Sequence, residues 1–105
     1  MAQFDYYPNT DNDTNTIYPF IIDVQDALLD GLNSRVVIPL TPLSDIEKSY
    51  PKNLCPEITI AGNEYSLLTH QMASVSTRTL SHCEGSLADF RNMIISAIDF
   101  LFTGI

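Results

Sequence analysis

The apolar C-terminal stretch, residues 86–105, constrains the fold of this chain more than any other part of its sequence. Apolar residues recur there at steps of three and four positions, the period of an α-helix: Leu87, Phe90, Ile94, Ile98, Leu101 and Ile105. Ser86 is predicted to cap the start of this helix and Gly104 to end it. Further apolar residues widen the stripe to over half of the circumference. We therefore expect the helix to pack on a sheet along one side and on a second subunit along another.

The rest of the predicted helix forms a narrow polar strip. At about 100° per residue, five polar side chains fall on one side: Asp89, Asn92, Ser96, Asp99 and Thr103. After this strip, Ile105 either packs in the core or contacts a partner. The pattern leaves both interpretations open.

Short strand patterns precede the helix. Alternation and β-branched residues predict strands over residues 3–7, 17–24, 35–40, 57–60, 64–68 and 73–80. Polar and turn-forming residues predict a surface loop over 9–16, a turn over 26–33, a helical turn over 44–50 and a hairpin turn at 61–63. Strands followed by one helix predict an α+β fold, a small antiparallel barrel closed by the helix, in a single domain over residues 1–105.

The net charge of the chain limits the classes of partner that it can bind. Thirteen acidic and five basic residues give a net charge of −8, which argues against direct binding of nucleic acid, because such binding needs basic residues to neutralise phosphates. A protein partner with basic residues is compatible with it. No apolar run approaches the ~20 residues that span a bilayer, and the start lacks the pattern of a signal peptide. We therefore expect a cytoplasmic protein that does not enter membranes.

The sequence contains few residues in patterns that are typical of catalytic or metal sites. It has no glycine-rich phosphate loop, no nucleophile elbow and no convincing metal-ligand spacing. Cys55 and Cys83 are expected to be reduced, the pair His82–Cys83 to lie in a surface loop, and His70 to have a surface or capping role. Arg91 is predicted to meet a buried acid or carbonyl near the apolar stripe. The residues predict a protein that binds, without a metal or cofactor, and does not catalyse a reaction.

Several short motifs occur in an order that resembles the sequences of the CcdB toxins, the toxin component of the ccd toxin–antitoxin system. The matching segments are Gln3-Phe4, Asp23-Val24-Gln25, residues 35–40, Leu54-Cys55-Pro56, residues 70–75, Ala97-Ile98 and Gly104-Ile105. The resemblance runs from end to end of the chain. It implies a small SH3-like antiparallel barrel with an extra small sheet and a long C-terminal helix, the fold shared with MazF/Kid-like toxins, and a homodimer.

The resemblance also implies a mechanism without catalysis. Such toxins bind the A subunit of DNA gyrase and trap the cleaved gyrase–DNA complex, so DNA is met only indirectly, through gyrase or an antitoxin. Their usual roles are plasmid maintenance and transcriptional autoregulation with the antitoxin. Carried over by position, the gyrase-binding set is Gln3, Phe4, Tyr7, Asp26, Leu28, Leu29, Asp99, Thr103, Gly104 and Ile105. This resemblance favours Ile105 as a contact for the partner.

Three positions in that set depart from the family. Well-studied members carry Trp where this chain has Thr103, and the indole stacks on a gyrase arginine. A stacked arginine is worth about 1–2 kcal/mol, so its absence predicts binding weaker by roughly tenfold. Asp99 replaces an Asn and Asp26 a Ser, and both add negative charge that arginines of gyrase would attract.

The implied antitoxin is a CcdA-like protein whose disordered C-terminal segment folds along the toxin. Its predicted contacts lie in the loop at 9–16 and the stretch at 41–50: Asn9, Asp11, Asp13, Thr41, Leu43 and Ile46. Two alternatives stay open. One is an endoribonuclease of the MazF/Kid type, which shares the fold but needs a basic RNA groove that a charge of −8 disfavours. The other is a non-toxic relic that binds only the antitoxin.

Overall fold

A computed structural model describes residues 2–45 and 50–104. These residues form seven strands and one α-helix: β1 (Asp5–Pro8), β2 (Phe20–Asp23), β3 (Ser34–Pro42), β4 (Glu57–Ile60), β5 (Asn63–Leu67), β6 (Ala73–Ser76), β7 (Gly85–Ser86) and α1 (Arg91–Thr103). The strands pair antiparallel in the order β4-β5-β3-β2-β1-β7. The α+β prediction, with a curled sheet followed by one helix, is confirmed.

The long strand β3 belongs to two parts of the sheet. Its first half pairs with β6, from Ser34 opposite Ser76 to Val37 opposite Ala73. Its second half pairs with β5, from Leu40 opposite Leu67 to Pro42 opposite Tyr65. β6 is thus a branch of the same seven-stranded sheet, beside the path of the other six strands. Pro42 is the last residue of the strand. It can pair there because a proline lacks only the N–H donor of its ladder position.

The helix covers the concave side of the sheet. Ile94 and Leu87 are buried against Phe4, Ile22 and Ile38, in the largest apolar cluster of the structure. A smaller cluster of Tyr7, Val37 and Leu80 lies apart from it. Because neighbouring residues of a strand face opposite sides, Ile38 and Val37 of β3 send side chains into the two clusters. The predicted packing of the helix on a sheet is therefore confirmed.

The α-helix begins later than the sequence predicts. Gly85 and Ser86 form β7 and pair with β1, and the Leu87 N–H donates to the Phe4 carbonyl at 2.7 Å. Ser86 caps only a tight turn, its Oγ accepting from the Ala88 N–H at 3.2 Å. A 3₁₀ turn over Ala88–Phe90 follows before α1 starts. Pairing with β1 holds these residues extended, so the prediction of a helix from Ser86 was wrong.

The end of the helix and its polar strip agree with the prediction. Gly104 adopts the left-handed conformation at φ 73° and its N–H donates to the Phe100 carbonyl at 2.9 Å. A glycine takes this conformation without the steric cost that a Cβ brings. The predicted strip is exposed at all five positions.

The predicted strand over 73–80 is wrong in its second half. After β6, Thr77–Thr79 form a 3₁₀ turn. Ser76 Oγ accepts from the Arg78 N–H at 3.3 Å, and Thr79 Oγ1 donates to the Ser76 carbonyl at 2.7 Å. These local hydrogen bonds replace the ladder that β-branched residues alone would favour.

The cysteines, the histidines and Arg91 differ in their exposure. Cys55 is a buried free thiol with its Sγ 3.6 Å from His70 Nδ1, and His70 itself is exposed. Cys83 and His82 lie in an exposed loop, as predicted, with His82 Nε2 at 2.9 Å from Glu84 Oε1. Arg91 is exposed at the first turn of α1, so the prediction of a buried partner for it was wrong. No helix among the described residues is long and apolar enough to cross a membrane.

Candidate functional site

The turn over residues 26–33, here called the leucine turn, is the most exposed apolar feature among the described residues. Leu28 is 91% exposed and Leu29 49%. Asp26 caps its 3₁₀ turn, Ala27–Leu29, with Oδ1 accepting from the Leu28 N–H at 2.8 Å. Large apolar side chains held in water on a capped turn are typical of a surface that a protein partner covers.

A buried polar cluster lies at the base of the leucine turn. Arg35 of β3 donates from Nε to Asp23 Oδ2 of β2 at 2.8 Å, and its Nη2 lies 2.8 Å from the same oxygen. The backbone carbonyl of Gln25 accepts from Nη2 at 3.2 Å. Both members of the Arg35–Asp23 pair are fully buried. A guanidinium can occupy such a place because carboxylate and carbonyl oxygens replace its lost water.

Two contacts connect this cluster to the turn itself. Arg35 Nη1 donates to the Asp30 carboxylate, on the turn. Gln25 Nε2 donates to the Leu29 carbonyl at 3.2 Å and to the Ser34 carbonyl at 3.3 Å, while Gln25 Oε1 accepts from the Val36 N–H at 3.1 Å. Leu29 and Asp30, in the middle of the leucine turn, are thus bound to the polar cluster at its base.

Burial and hydrogen bonding shift the pKa values of Asp23 and Arg35. Desolvation raises the pKa of the Asp23 carboxyl above its usual value, although the Gln25 N–H and the Arg35 guanidinium act in the opposite direction. Burial would lower the pKa of Arg35, but its bonds to Asp23 and Asp30 raise it. The guanidinium therefore stays charged under all ordinary conditions.

The N-terminal residues lie next to the leucine turn. Gln3 Nε2 donates to the Val24 carbonyl at 3.1 Å, just before the turn. Phe4 has a φ of 71°, rare for an aromatic residue. Its N–H donates to the Asp23 carbonyl at 2.6 Å. The structure thus brings together Gln3, Phe4, Asp26, Leu28 and Leu29 from the predicted gyrase-binding set.

Two members of that set do not reach the surface. Phe4 and Tyr7 are buried, in the larger and the smaller apolar cluster respectively. Neither side chain is accessible at the surface, and their assignment to gyrase binding stays a prediction. A sequence pattern of alternating aromatic residues does not show which face of a strand is covered.

A second group of predicted residues lies at the end of α1. Asp99, Thr103 and Gly104 are exposed, and Thr103 Oγ1 donates to the Asp99 carbonyl at 2.7 Å. Ile105 lies outside the described residues. That this group and the leucine turn meet one partner together stays a prediction.

The residues predicted to meet the antitoxin differ in accessibility. Asp11 and Asp13 are exposed, whereas Asn9 is half-buried and donates from Nδ2 to the Tyr18 carbonyl at 2.8 Å. Thr41 is buried and donates to the Ile17 carbonyl at 2.8 Å, so it anchors the loop. Ile46 lies outside the described residues.

Leu43 lines an open groove. The groove has a volume of about 810 Å³ between the end of β3 and the tip of the β4–β5 hairpin. Asn63, Glu64 and Tyr65 form its far wall. The sequence analysis did not assign these hairpin residues to any site.

Sequence reasoning missed the polar cluster that holds the leucine turn. The available signal was a single arginine, Arg35, at the head of the β-branched run Val36-Val37-Ile38, where a charge needs a partner. Asp23 is its partner from another strand, and only the strand pairing shows this. Among the described residues, His, Cys, Asp and Glu gather no group of three that could hold a metal ion. What the site presents is exposed apolar surface on a fixed turn.

The comparison with protein families identifies the family of the chain. A family model described as CcdB protein matches residues 3–104. The match includes all seven strands, the leucine turn and the whole of α1. The chain therefore belongs to the CcdB family, the toxins of the ccd toxin–antitoxin system.

Proposed function

We propose that this toxin binds the A subunit of DNA gyrase in the cytoplasm, traps the gyrase–DNA cleavage complex and is neutralised by a CcdA-like antitoxin. One observation carries the proposal: the leucine turn offers Leu28 and Leu29 to solvent while a buried ion pair holds its base. A fixed apolar protrusion binds well, because little conformational entropy is lost when it docks. Membership of the CcdB family supports gyrase as that partner.

The apolar protrusion can supply a large part of the binding energy. Fully burying one leucine side chain is worth about 1.5–3 kcal/mol, and Leu28 has almost its whole side chain available. At the end of α1, Asp99 adds a carboxylate to an exposed surface. Carboxylates at the edge of an interface increase the association rate with a basic partner more than the affinity.

The groove beside Leu43 supports the antitoxin part of the proposal. It combines an apolar floor from Pro42 and Leu43 with the exposed carboxylate of Glu64. An extended segment with apolar and basic residues suits such a groove. The exposed carboxylates Asp11 and Asp13 would attract the same basic segment.

The helix supports a homodimer. Met93 and Phe102 are nine positions apart, so at about 100° per residue they lie on opposite flanks of the buried stripe. The Met93 flank borders Lys52, Asn53 and Pro56 of the same chain. Phe102, 72% exposed, lies on the other flank, and we assign that flank to the second subunit.

A plasmid cleavage assay with gyrase and ATP tests the proposal. Wild-type protein should accumulate linear DNA, and a CcdA-like antitoxin should abolish it. Leu29→Ser should lower the apparent affinity for gyrase by about tenfold or more, because it removes roughly half of the free energy that burying one leucine contributes. Ile17→Ser is the matched control, since Ile17 is 52% exposed but lies outside the predicted gyrase surface.

Three results would contradict the proposal. Equal losses for Leu29→Ser and Ile17→Ser would show that the leucine turn has no special role. Absence of linear DNA at micromolar toxin would exclude poisoning. Specific cleavage of RNA by the purified protein would favour the ribonuclease instead.

A further inference from the structure

We infer that Asp30 is a positioning residue: by closing the buried Asp23–Gln25–Arg35 cluster, it holds the leucine turn in the shape that the partner binds. The inference rests on the proposed function, since it assigns the leucine turn to the gyrase surface. Asp30 is outside the predicted set of contacts. Its role is indirect, through the backbone that carries Leu28 and Leu29.

The leucine turn has only a weak apolar anchor, because Leu29 is 49% and Leu32 52% exposed. Every residue from 26 to 33 is exposed, including its three leucines. Apolar burial, which fixes most surface turns to a domain, therefore contributes little to its conformation. The shape of the turn must depend on hydrogen bonds and ion pairs.

The hydrogen bonds within the turn are local. The Leu29 N–H donates to the Asp26 carbonyl at 3.0 Å, the Asp30 N–H to the Ala27 carbonyl at 3.2 Å, and the Leu32 N–H to the Leu29 carbonyl at 3.1 Å. A short 3₁₀ segment of this kind has poor bond geometry and is marginal alone. These bonds do not fix the turn relative to the sheet.

The main side-chain contact that fixes it is made by Arg35, and the Thr77 N–H also donates to the Asn33 carbonyl at 3.0 Å. The guanidinium is held from the sheet side by Asp23 and by the Gln25 carbonyl. On the turn side it binds the Asp30 carboxylate. Gln25 Nε2 adds one bond to the Leu29 carbonyl. Asp30 is thus the one side chain of the turn that contacts the buried guanidinium among the described residues, while remaining 52% exposed itself.

This exposure makes Asp30 the right position to change. Losing Asp23 would leave a buried charge without its principal partner and destabilise the whole fold. Losing the Asp30 carboxylate leaves the Arg35–Asp23 pair in place. The expected effect is a wider range of turn conformations. Apparent affinity falls in proportion to the fraction of molecules in the binding shape.

The experiment compares Asp30→Ala with Asp30→Asn. Both remove the same charge, but the Asn side chain keeps an oxygen that can accept from Arg35. Asp89→Ala is the control for charge alone, because Asp89 is an exposed carboxylate just before α1 and belongs to neither predicted binding set. Gyrase A binding, antitoxin binding and amide hydrogen exchange are measured on each purified full-length variant.

Asp30→Ala should weaken gyrase binding by about tenfold and leave antitoxin binding unchanged. Exchange at the amides of Leu29, Asp30 and Leu32 should accelerate by about tenfold, without a change in the protected amides of β3. Asp30→Asn should retain most of the affinity. In the Leu29→Ser background, Asp30→Ala should have a smaller effect, because both changes act on the same contact.

Other results would overturn the inference. Equal losses for the Ala and Asn variants, or a loss with Asp89→Ala, would assign the effect to charge. Additive effects with Leu29→Ser would make Asp30 an independent contact. If wild-type protein does not bind gyrase, the proposed function fails, while the exchange rates still decide whether Asp30 holds the turn.

Discussion

At the scale of single residues, Asp23 predicts an unusual pH dependence of stability. Its carboxyl has a raised pKa in the folded state because burial outweighs the stabilising bonds from Gln25 and Arg35. The folded state therefore binds this proton more tightly than the unfolded chain. By linkage, the contribution of Asp23 to stability is complete below the unfolded pKa of about 4 and is lost as the pH rises through the folded pKa.

Asp23→Asn provides the reference for this prediction, since it has the same shape and does not titrate. We expect the unfolding free energy of the wild type, minus that of the variant, to fall as the pH rises above about 4. The slope cannot exceed about 1.4 kcal/mol per pH unit for one proton. Urea denaturation at a series of pH values measures it. A difference that grows with pH would show that Arg35, and not burial, dominates the pKa.

Individual residues also show where sequence reasoning ends. The chain has three arginines, and the sequence pointed to Arg91 as the one with a buried partner. The structure exposes Arg91 and buries Arg35. Arg35 and Asp23 are twelve positions apart and meet only because β2 pairs with β3. Phe4 likewise adopts a positive φ that the sequence does not indicate.

At the scale of elements, the β4–β5 hairpin predicts a stabilising substitution. Ile60 pairs with Asn63, which leaves Ala61 and Gly62 as a two-residue connection. Both have positive φ, 51° and 82°, as a type I′ turn requires. Alanine is poorly suited to that conformation, whereas Asn-Gly is preferred. Ala61→Asn should raise the unfolding free energy by about 0.5–1 kcal/mol.

Thermal unfolding measures this change as an increase in Tm of a few degrees. Gly62→Ala is the opposing control and should lower Tm. In the described part of the chain, no atom beyond its two chain neighbours lies within 4 Å of where a Cβ at Gly62 would stand, so its cost would come from the backbone conformation. A decrease in Tm for Ala61→Asn would show that the turn is not limited by residue preference.

The last turn of α1 carries a prediction about affinity. Thr103 is exposed on the polar strip, where the resemblance to CcdB toxins places a tryptophan that stacks on a gyrase arginine. Thr103→Trp should therefore strengthen gyrase binding by roughly tenfold, the equivalent of about 1–2 kcal/mol. Thr103→Leu adds apolar area without a stacking face and should give a smaller gain. Titration of gyrase A by calorimetry separates the two, and equal gains would exclude stacking.

Elements were predictable where local chemistry decides them. The hairpin at 61–63 and the polar strip of α1 follow from turn residues and from the helical period. The start of the helix did not, because Gly85 and Ser86 pair with β1, a strand far away in the chain. Thr77–Thr79 left the strand because Ser76 and Thr79 bind the backbone locally. Both errors occur where two kinds of hydrogen bond compete.

At the scale of the whole molecule, the fold places the leucine turn and the end of α1 on different elements. The sequence could name members of both groups through family resemblance, but it could not show what holds them. That information lies in the pairing of β2 with β3, which brings the cluster around Arg35 together. A net charge of −8 adds a preference for basic partners to both groups.

The proposed homodimer gives the last prediction, and the two flanks of α1 make it specific. Phe102 is 72% exposed on the flank assigned to the second subunit, and Met93 is 41% exposed on the opposite flank beside Pro56. A carboxylate in an apolar interface loses its water without gaining a partner. Phe102→Glu should therefore convert the dimer to a monomer at micromolar concentration, whereas Met93→Glu should remain dimeric. Sedimentation equilibrium measures both, and far-ultraviolet circular dichroism confirms that each variant is folded. A folded, dimeric Phe102→Glu variant would exclude this flank as the dimer contact, and a monomeric Met93→Glu variant would assign the contact to the opposite flank.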